Sequence, residues 1–186
     1  MTRYTVITPT ILRSTLARAC NSLDSQTCKD WEHLVIVDGD MTGEVLEKIA
    51  HPQRTILRCE QSHKNSGNTC RHDAYKFATG DYLYYMDDDD YLSDDQVLED
   101  LKVVTGAWAI FPILLHGSRL FVDPPALNQS SMAGTLVKRE YGQWLDLHHY
   151  FTDGLLIEKL KTEHPYQVVD IRPVLIAPES HHGSMA

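Results

Sequence analysis

The sequence has no cluster of basic residues and no long hydrophobic run. Its 17 lysines and arginines are scattered among 26 acidic residues, which gives a formal net charge of −9. Binding to a nucleic-acid backbone needs clustered Lys and Arg, so nucleic acid is not the expected partner. The most apolar stretch, residues 107–115, is too short to span a bilayer, and residues 1–7 hold no long apolar signal core. These absences predict a cytoplasmic protein without a transmembrane segment.

Cysteine is also scarce. The four residues Cys20, Cys28, Cys59 and Cys70 form no Cys-x-x-Cys pair, which argues against a zinc knuckle or a thioredoxin-like site. Their even number permits disulfides, but an intracellular chain of this size does not need them. We therefore expect free, mostly structural thiols.

Strand and helix patterns alternate through the first half of the chain. Residues 4–8 and 34–37 are β-rich runs that end at Pro9 and Asp38, and residues 55–59 form a third run. The apolar residues between the first two runs recur at helical spacing. The β-α-β-α-β order predicts a parallel sheet with right-handed crossovers, so the expected fold class is α/β, with a mostly parallel central sheet flanked by helices.

The later patterns predict further elements of the same domain. A helix is expected over about residues 68–78, closed by Gly80 as its C-cap. Additional strands are expected over residues 81–86, 108–115, 119–122, 135–138 and 174–177, and a second long helix over residues 144–161. No internal repeat and no second core is visible, so residues 1–186 are predicted to be a single domain.

Four consecutive aspartates, Asp87 to Asp90, follow an apolar and aromatic run that is typical of a buried strand. Such crowded carboxylates need a counter-cation, and Mg²⁺ or Mn²⁺ typically bridges one or two carboxylates to substrate phosphates. Ligands of α/β sheets also favour the carboxyl ends of strands. The alternative is a solvated acidic loop, although surface charge runs rarely follow a strand so directly.

Four short segments carry a resemblance to a known family. They are Tyr4-Thr5-Val6-Ile7-Thr8-Pro9-Thr10; Leu34-Val35-Ile36-Val37-Asp38-Gly39; Asn65-x-Gly67-x-x-x-Arg71 with Ala78-x-Gly80-Asp81-Tyr82; and Asp87-Asp88-Asp89-Asp90. In this order and spacing they resemble the GT-A fold (Rossmann-like) glycosyltransferases, specifically the inverting enzymes of family 2. The tetra-aspartate falls where that family has its Asp-x-Asp motif.

The resemblance implies a metal-dependent transferase of the hexosyltransferase type. It would move a sugar from a nucleotide-diphosphate sugar, with UDP favoured, to a carbohydrate or other hydroxyl acceptor with inversion. Residues 1–105 would form the nucleotide-sugar-binding half, and residues 106–186 the acceptor and catalytic half. The resemblance makes Asp89 a ligand of Mn²⁺ or Mg²⁺, and the expected nucleotide-binding residues are Thr8, Pro9, Thr10, Asp38, Asn65, Arg71, Asp87 and Asp88. Arg71 could instead be a surface arginine, and the two threonines simple turn residues.

Inversion needs a general base close to the sugar. In the resembling family the base lies at the start of a helix beyond the Asp-x-Asp strand, which nominates Asp153 as the catalytic residue, with Asp146 as the alternative. A helix cap is the other role open to Asp153. The family also often has a histidine after the last strand, which nominates His182, or His181, as a further metal ligand unless these residues are only a tail.

The sequence leaves open whether the protein forms a homo-oligomer, and it leaves three alternative functions to consider. Trp144 and Tyr141, expected to be exposed, could support a homo-oligomer. A sugar-phosphate nucleotidyltransferase would present a Gly-rich basic loop after the first strand, which is missing here. A phosphatase of the haloacid dehalogenase type would have its Asp-x-Asp after the first strand rather than the fourth. A nucleotide-sugar-binding protein without turnover is compatible with the same residues.

Overall fold

The computed structural model describes residues 3–41, 44–59, 65–126, 131–147, 152–171 and 174–177, and these form two sheets flanked by helices. The strands of the larger sheet are β1 (Tyr4–Thr10), β2 (Trp31–Val37), β3 (Arg54–Arg58), β4 (Tyr82–Tyr85), β6 (Trp108–Ile110), β9 (Thr135–Lys138) and β10 (Tyr166–Val168). Those of the smaller sheet are β5 (Tyr91–Leu92), β7 (Ile113–Leu115), β8 (Ser118–Leu120) and β11 (Leu175–Ala177). The helices are α1 (Leu16–Asp24), α2 (Val45–Lys48), α3 (Asn68–Ala74), α4 (Val97–Asp100) and α5 (Thr152–Glu163).

The larger sheet has the order β10-β6-β9-β4-β1-β2-β3 and is parallel except for β9. β1 lies between β2 and β4, so the carboxyl ends of these three strands meet at one edge. The predicted α/β class with a mostly parallel central sheet is confirmed. β9 runs antiparallel to both β4 and β6, so the chain reverses direction across the sheet after the first five strands.

Alternation along the strands divides the core between the two faces of the sheet. In β4, Tyr82 and Tyr84 join one core cluster with residues of α1 and α4, whereas Leu83 and Tyr85 join a second cluster with residues of α3 and α5. Successive side chains of a strand point to opposite faces, so a strand buried on both sides reads as the continuous apolar run seen in the sequence. The molecule therefore has helix, sheet and helix layers.

The smaller sheet, in the order β5-β11-β7-β8, begins directly after the acidic run. The four aspartates connect β4 of the larger sheet to β5 of the smaller one, and β5 is fixed to α1 because the Leu92 N–H donates to Ser22 Oγ at 3.0 Å. The expected single strand over residues 108–115 is divided into β6 and β7, which belong to different sheets and are separated by Phe111 and Pro112.

The sequence predicted that Pro9 ends the first strand, and this prediction is wrong because Pro9 lies inside β1. The ladder between β1 and β4 ends at Ile7, which pairs with Tyr85, whereas the ladder with β2 continues to Thr10. Thr10 C=O accepts from the Asp38 N–H on the β2 side, so the missing N–H of Pro9 falls on the unpaired side. A proline is tolerated in a strand where no ladder bond is lost.

The cysteines also differ from the expectation of free thiols. Cys59, directly after β3, and Cys70, in α3, are joined as a disulfide with their Cα atoms 6.5 Å apart, whereas Cys20 and Cys28 are free and buried. The sequence separation of eleven residues gave no sign of this, because the contact depends on how α3 packs on the sheet. Among the described residues, no helix is long and apolar enough to cross a membrane.

Gly80 is not the predicted C-cap, because the helical segment closes at Ala78 in an extended conformation. A Cβ built on Gly80 would lie 2.6 Å from the backbone N of Thr5 and 2.7 Å from the backbone C of Tyr4. Glycine is needed here because the chain entering β4 passes against the backbone of β1.

Replacing Gly80 by alanine should therefore destabilise the fold by about 1–3 kcal/mol, the usual cost of inserting a methyl group where the backbone must move. Urea unfolding of the variant measures this cost. Gly106→Ala is the matched control, since a Cβ there meets nothing closer than 3.8 Å and should change stability by no more than about 0.5 kcal/mol. Equal stability of the two variants would contradict the close approach at Gly80.

Candidate functional site

The candidate site lies at the edge of the sheet where β1, β2 and β4 end. Thr10 is the last residue of β1, Asp38 follows β2, and the acidic loop, defined as Asp87 to Asp90, follows β4 by one residue. α3 begins beside this edge, because Gly67 adopts φ +75° and approaches Pro9 so closely that a Cβ on Gly67 would lie 2.7 Å from Pro9 Cβ. Residues far apart in the sequence are thus brought to one edge of the sheet, the edge where ligands of parallel α/β sheets usually bind.

Two aspartates of the acidic loop are buried and two are more accessible. Asp88 is 3% exposed and Asp90 6% exposed. Thr10 Oγ1 donates to Asp88 Oδ2 at 2.6 Å, which ties the loop to the end of β1. Burial raises the pKa of Asp88 to about 6, an effect that Thr10 and Arg13 oppose. Burial and the charges of Asp87 and Asp89 also raise the pKa of Asp90.

Arginines partly neutralise this crowded negative charge. Arg13 Nη1 lies 2.8 Å from Asp89 Oδ2 and 3.3 Å from Asp88 Oδ1. Arg18 donates from Nη2 to the backbone oxygen of Asp89 at 2.8 Å, and its guanidinium stacks 4.5 Å from the centre of the Tyr91 ring. Sequence reasoning missed both arginines. The available signal was their position in the sequence. Arg13 lies between β1 and α1, and Arg18 lies in the first turn of α1, so both follow the strand end beside the acidic loop.

Arg71 contacts the acidic loop from the side of α3 and also contacts two other segments of the chain. It forms an ion pair with Asp87, donates from Nη1 to the backbone oxygen of Ser66 at 2.7 Å, and places its guanidinium 4.8 Å from the centre of the Trp144 ring. Trp144 is 4% exposed, so the expectation that it is an exposed aromatic is wrong. It packs between Arg71 and Tyr85, whose ring centre lies 4.7 Å away.

The same contacts continue to the start of α5. Trp144 Nε1 donates to Asn68 Oδ1 at 3.1 Å, and an indole N–H can only donate, so the orientation of the Asn68 amide is fixed. Asn68 Nδ2 then donates to Thr152 Oγ1 at 3.1 Å and to the Leu147 carbonyl at 3.1 Å. A continuous path of side-chain contacts therefore joins the acidic loop to Thr152, the first residue of α5.

Asp153 is the second residue of α5, and its Oδ1 accepts from the Gly154 N–H at 2.8 Å. Burial raises the pKa of its carboxyl group, the positive charge of Arg71 opposes the increase, and the negative charge of Asp87 adds to it. Asp153 therefore lies within the electrostatic field of the acidic loop. Asp146, the alternative base, is held differently, because its Oδ1 accepts from Thr69 Oγ1 at 2.8 Å.

The remaining predicted site residues differ in their burial and in their contacts. Asp38 is 8% exposed at the end of β2, beside the end of β1. Asn65 donates from Nδ2 to Thr69 Oγ1 at 2.7 Å, and its buried Oδ1 has no hydrogen-bond partner among the described residues. Thr8 is fully buried, with its Oγ1 3.0 Å from Nε2 of His33. His181 and His182 lie outside the described residues.

The hydrogen bond to Thr8 has a defined direction. Arg54 Nε donates to His33 Nδ1 at 2.8 Å, so this nitrogen is an acceptor and the hydrogen is on Nε2, which donates to Thr8. Burial and the nearby charge of Arg54 lower the pKa of His33 well below its usual value, which agrees with a neutral ring. Of the two predicted threonines, Thr10 therefore contacts the acidic loop, whereas Thr8 contacts His33 in the core.

The donor atoms of the acidic loop suit a hard divalent cation. They are carboxylate oxygens on consecutive residues, and two of these residues, Asp88 and Asp90, are buried, which raises the pKa of each carboxyl group. Mg²⁺ and Mn²⁺ prefer oxygen ligands of this kind. Asp89 is the member best placed to bind such an ion, because its side chain is 30% exposed and Arg13 is the ion-pair partner that it has among the described residues.

Comparisons with known proteins agree on one family and fold. Residues 5–104 match the family described as Glycosyl transferase family 2. Glycosyltransferase GlyA of Streptococcus pneumoniae serotype 4 (strain ATCC BAA-334 / TIGR4) is 31% identical over 99 residues, which cover 51% of this chain and 14% of GlyA. The chain thus spans a small part of this curated relative.

Solved structures extend the similarity to nearly the whole chain. S. aureus TarS 1-349 in complex with UDP-GlcNAc has a TM-score of 0.78 at 16% identity, covering 99% of this chain and 61% of TarS 1-349. Mannosyltransferase PcManGT from Pyrobaculum calidifontis, in complex with GDP-Man and Mn²⁺, has a TM-score of 0.68 at 16% identity, covering 97% of this chain and 58% of that one. At such identities the likeness is one of fold.

The burial of Asp88 predicts a pH dependence of stability in the absence of divalent cations. Its pKa is 3.8 in the unfolded chain and about 6 in the folded protein, so between these values the unfolded chain loses its proton first. The folded state therefore becomes less stable as the pH rises through this window. Relative to Asp88→Asn, the wild type should lose up to about 3 kcal/mol of unfolding free energy between about pH 4 and about pH 7.

Urea unfolding of both proteins across this pH range, with chelator present, measures the difference. Asp95→Asn corrects for the change in net charge, because it removes an exposed carboxylate outside the acidic loop. The buried position of Asp88 would be contradicted if the wild type kept the same stability relative to Asp88→Asn across this pH range, or became more stable relative to it as the pH rises.

Proposed function

Because the chain belongs to glycosyl transferase family 2 and has the GT-A fold that its sequence resembles, we propose that it transfers a hexosyl group from a nucleotide-diphosphate sugar to a hydroxyl acceptor. The donor is a UDP-sugar, the reaction depends on Mn²⁺ or Mg²⁺, and the anomeric configuration is inverted. The observation that carries this proposal is the path of contacts from the acidic loop through Arg71, Trp144 and Asn68 to the start of α5, next to Asp153.

The nucleotide would bind at the ends of β1 and β2. Asp38 can accept a hydrogen bond from an N–H of the base, and the buried Oδ1 of Asn65 is an acceptor that lacks a partner among the described residues. A buried acceptor left unpaired is costly, so a ligand that donates to Asn65 would gain affinity. The UDP-GlcNAc bound to TarS, which shares the fold, supports a UDP-sugar as the donor.

The diphosphate would lie between the two arginines and the acidic loop. A divalent cation at Asp89 would stabilise the negative charge that grows on the leaving diphosphate. Arg13 and Arg71 are already at this position, and each has a planar guanidinium that can donate two parallel hydrogen bonds to phosphate oxygens. Fixed positive groups of this kind stabilise the transition state without having to reorganise during the reaction.

Asp153 would remove the proton from the attacking hydroxyl. Its carboxylate lies at the first turn of α5 and faces the charges of Arg71 and Asp87. Partial burial raises its pKa, which makes the carboxylate a stronger base, while Arg71 helps to keep it ionised. The proton would end on Asp153, and the hydroxyl oxygen would attack the anomeric carbon on the face opposite the leaving diphosphate, which inverts the configuration.

Nucleotide binding should depend on a divalent metal held by the acidic loop. Calorimetric titration of UDP into wild type and Asp89→Ala, each with Mn²⁺ and with chelator, should show a tighter complex only for wild type with Mn²⁺. The expected difference is at least about tenfold, or about 1.4 kcal/mol. Asp95→Ala, which removes an exposed carboxylate outside the loop, should behave as wild type. Equal affinity in all samples would reject the metal dependence.

Asp153→Asn should keep donor binding and lose on the order of 10²-fold or more in turnover, the usual contribution of a general base. Release of UDP from UDP-sugars in the presence of Mn²⁺ gives the rate, because water can replace an unknown acceptor. Asparagine retains an oxygen that can accept from the Gly154 N–H, so this variant separates the base from the helix cap. Asp146→Asn is the comparison variant. If Asp146→Asn lost turnover while Asp153→Asn kept it, Asp146 would be the base.

A further inference from the structure

Three potential metal ligands meet at the end of β2, outside the acidic loop. They are the carboxylate of Asp38 and the sulfur atoms of Cys59 and Cys70, and their ligand atoms all lie within 4.8 Å of one another. All three residues are buried, with exposures of 8%, 5% and 0%. Neither the family match nor the sequence spacing assigns any function to the two cysteines.

The fold holds these residues together through its backbone. The Cys59 N–H donates to the Val37 carbonyl at 2.9 Å, so Cys59 lies beside the residue that precedes Asp38. Cys70 comes from α3, which packs on β1 and β2, and its Cα lies 6.5 Å from that of Cys59. A strand end, the neighbouring strand end and a helix therefore each contribute one ligand.

We propose that, when Cys59 and Cys70 are reduced, they bind a zinc ion together with Asp38. Zinc prefers thiolate, imidazole and carboxylate ligands in a tetrahedral arrangement, with Zn–S distances of about 2.3 Å and Zn–O distances of about 2.0–2.2 Å. Two sulfur atoms and one oxygen arranged in this way lie about 3.5–3.8 Å from one another, and the three ligand atoms here all lie within 4.8 Å of one another. Three protein ligands leave the fourth position to water.

The two metal sites would differ in the ions they accept. The acidic loop offers only oxygen ligands, which suit Mg²⁺ and Mn²⁺, whereas two thiolates select a softer ion such as Zn²⁺. Cys59 and Cys70 belong to a core cluster that also includes Ile7 and Ile36, and apolar surroundings of this kind limit the access of water to a bound ion. The zinc site is therefore not expected to exchange with the Mn²⁺ of the acidic loop.

Binding has a defined chemical balance. The disulfide is first reduced, and a phosphine reductant with one water molecule converts it to two thiols and a phosphine oxide. Zn²⁺ then replaces the two thiol protons, which are released to solvent, so the affinity should rise with pH. The oxidised protein, in which the sulfur atoms are bonded to each other, has no thiolate to offer and should not bind zinc at this position.

The site gives zinc a specific effect on the nucleotide, and this step rests on the proposed function. Asp38 is both a zinc ligand and the acceptor proposed for the nucleotide base. An oxygen of Asp38 that is bonded to zinc is a weaker hydrogen-bond acceptor for the base. Zinc should therefore weaken UDP binding to the reduced protein, whereas the disulfide form should be insensitive to zinc.

The binding test uses Co²⁺ and Zn²⁺ with the full chain, oxidised or reduced with a phosphine, in excess Mg²⁺ to occupy the acidic loop. Reduced wild type should bind one Co²⁺ with the charge-transfer absorption of thiolate ligands, and Zn²⁺ should displace it. Cys59→Ser, Cys70→Ser and Asp38→Asn should each weaken binding at least about tenfold, because each removes one of three ligands. Cys20→Ser and Cys28→Ser, at the two free buried cysteines, are the matched controls and should bind as wild type.

The oxidised wild type serves as a control without any substitution, so the result does not depend on whether the serine variants fold. Equal absorption in the oxidised and reduced proteins, or no thiolate absorption in the reduced one, would overturn the site. The site would also be overturned if Cys20→Ser lost as much Co²⁺ binding as Cys59→Ser.

The coupling is measured by titrating UDP with Mn²⁺ into the reduced protein, with and without one equivalent of Zn²⁺. Zinc should weaken UDP binding at least about tenfold in wild type and leave Cys70→Ser unchanged. Unchanged UDP affinity in zinc-loaded wild type would refute the shared role of Asp38. Failure of the proposed function would look different, since UDP would then bind under no condition while the cobalt spectra stayed as expected.

Discussion

The arrangement of the site depends on the guanidinium of Arg71. It contacts Asp87 of the acidic loop, the backbone of Ser66 before α3, and the ring of Trp144 from the second half of the chain. The side chain is only 9% exposed, so removing its acidic partner would leave an uncompensated buried charge, a change that usually costs several kcal/mol. Three segments that are distant in sequence are therefore held in one geometry by one cation.

The reversed strand β9 explains how the second half of the chain reaches this cation. β9 runs antiparallel to β4 and ends beside the start of that strand, where the Arg139 N–H donates to the Asp81 carbonyl. The chain then returns over the sheet face covered by α3, where Tyr85 Oη donates to the Gly142 carbonyl and Trp144 packs on Arg71. α5 consequently begins at the same edge as the acidic loop, and Asp153 is placed by topology rather than by sequence proximity.

Much of the fold was predictable because local patterns coincide with tertiary burial. β2 is buried on both faces, so its apolar run identified it, and the helical spacing of Leu16, Cys20 and Leu23 identified α1. The errors arose where a contact between distant segments decided the structure. Gly80 was expected to be a helix cap, yet the backbone of β1 requires glycine there, and Pro9 was expected to end a strand whose other ladder continues past it.

The same distinction applies to the site. The acidic loop was recognisable as four consecutive aspartates after a strand, and the resemblance nominated Arg71, which contacts the loop through Asp87. The roles of Arg13 and Trp144 could not, since an arginine or a tryptophan is informative only once its partner is known. The cluster of Asp38, Cys59 and Cys70 is the extreme case, because its three members come from three elements and share no spacing pattern.

The acidic loop also sets a condition on any anionic ligand. Four carboxylates are crowded beside the guanidinium groups of Arg13 and Arg71, and burial, together with the charges of the neighbouring aspartates, raises the pKa of Asp88 and of Asp90. A diphosphate brought to this edge adds more negative charge, which protons and two arginines would compensate poorly near neutral pH. The proposed divalent cation removes this conflict, and because it must displace protons from the same carboxylates, its affinity should increase as the pH rises. Charge balance at the end of β4, more than the exact position of any one ligand, is thus the physical reason to connect nucleotide binding to a metal.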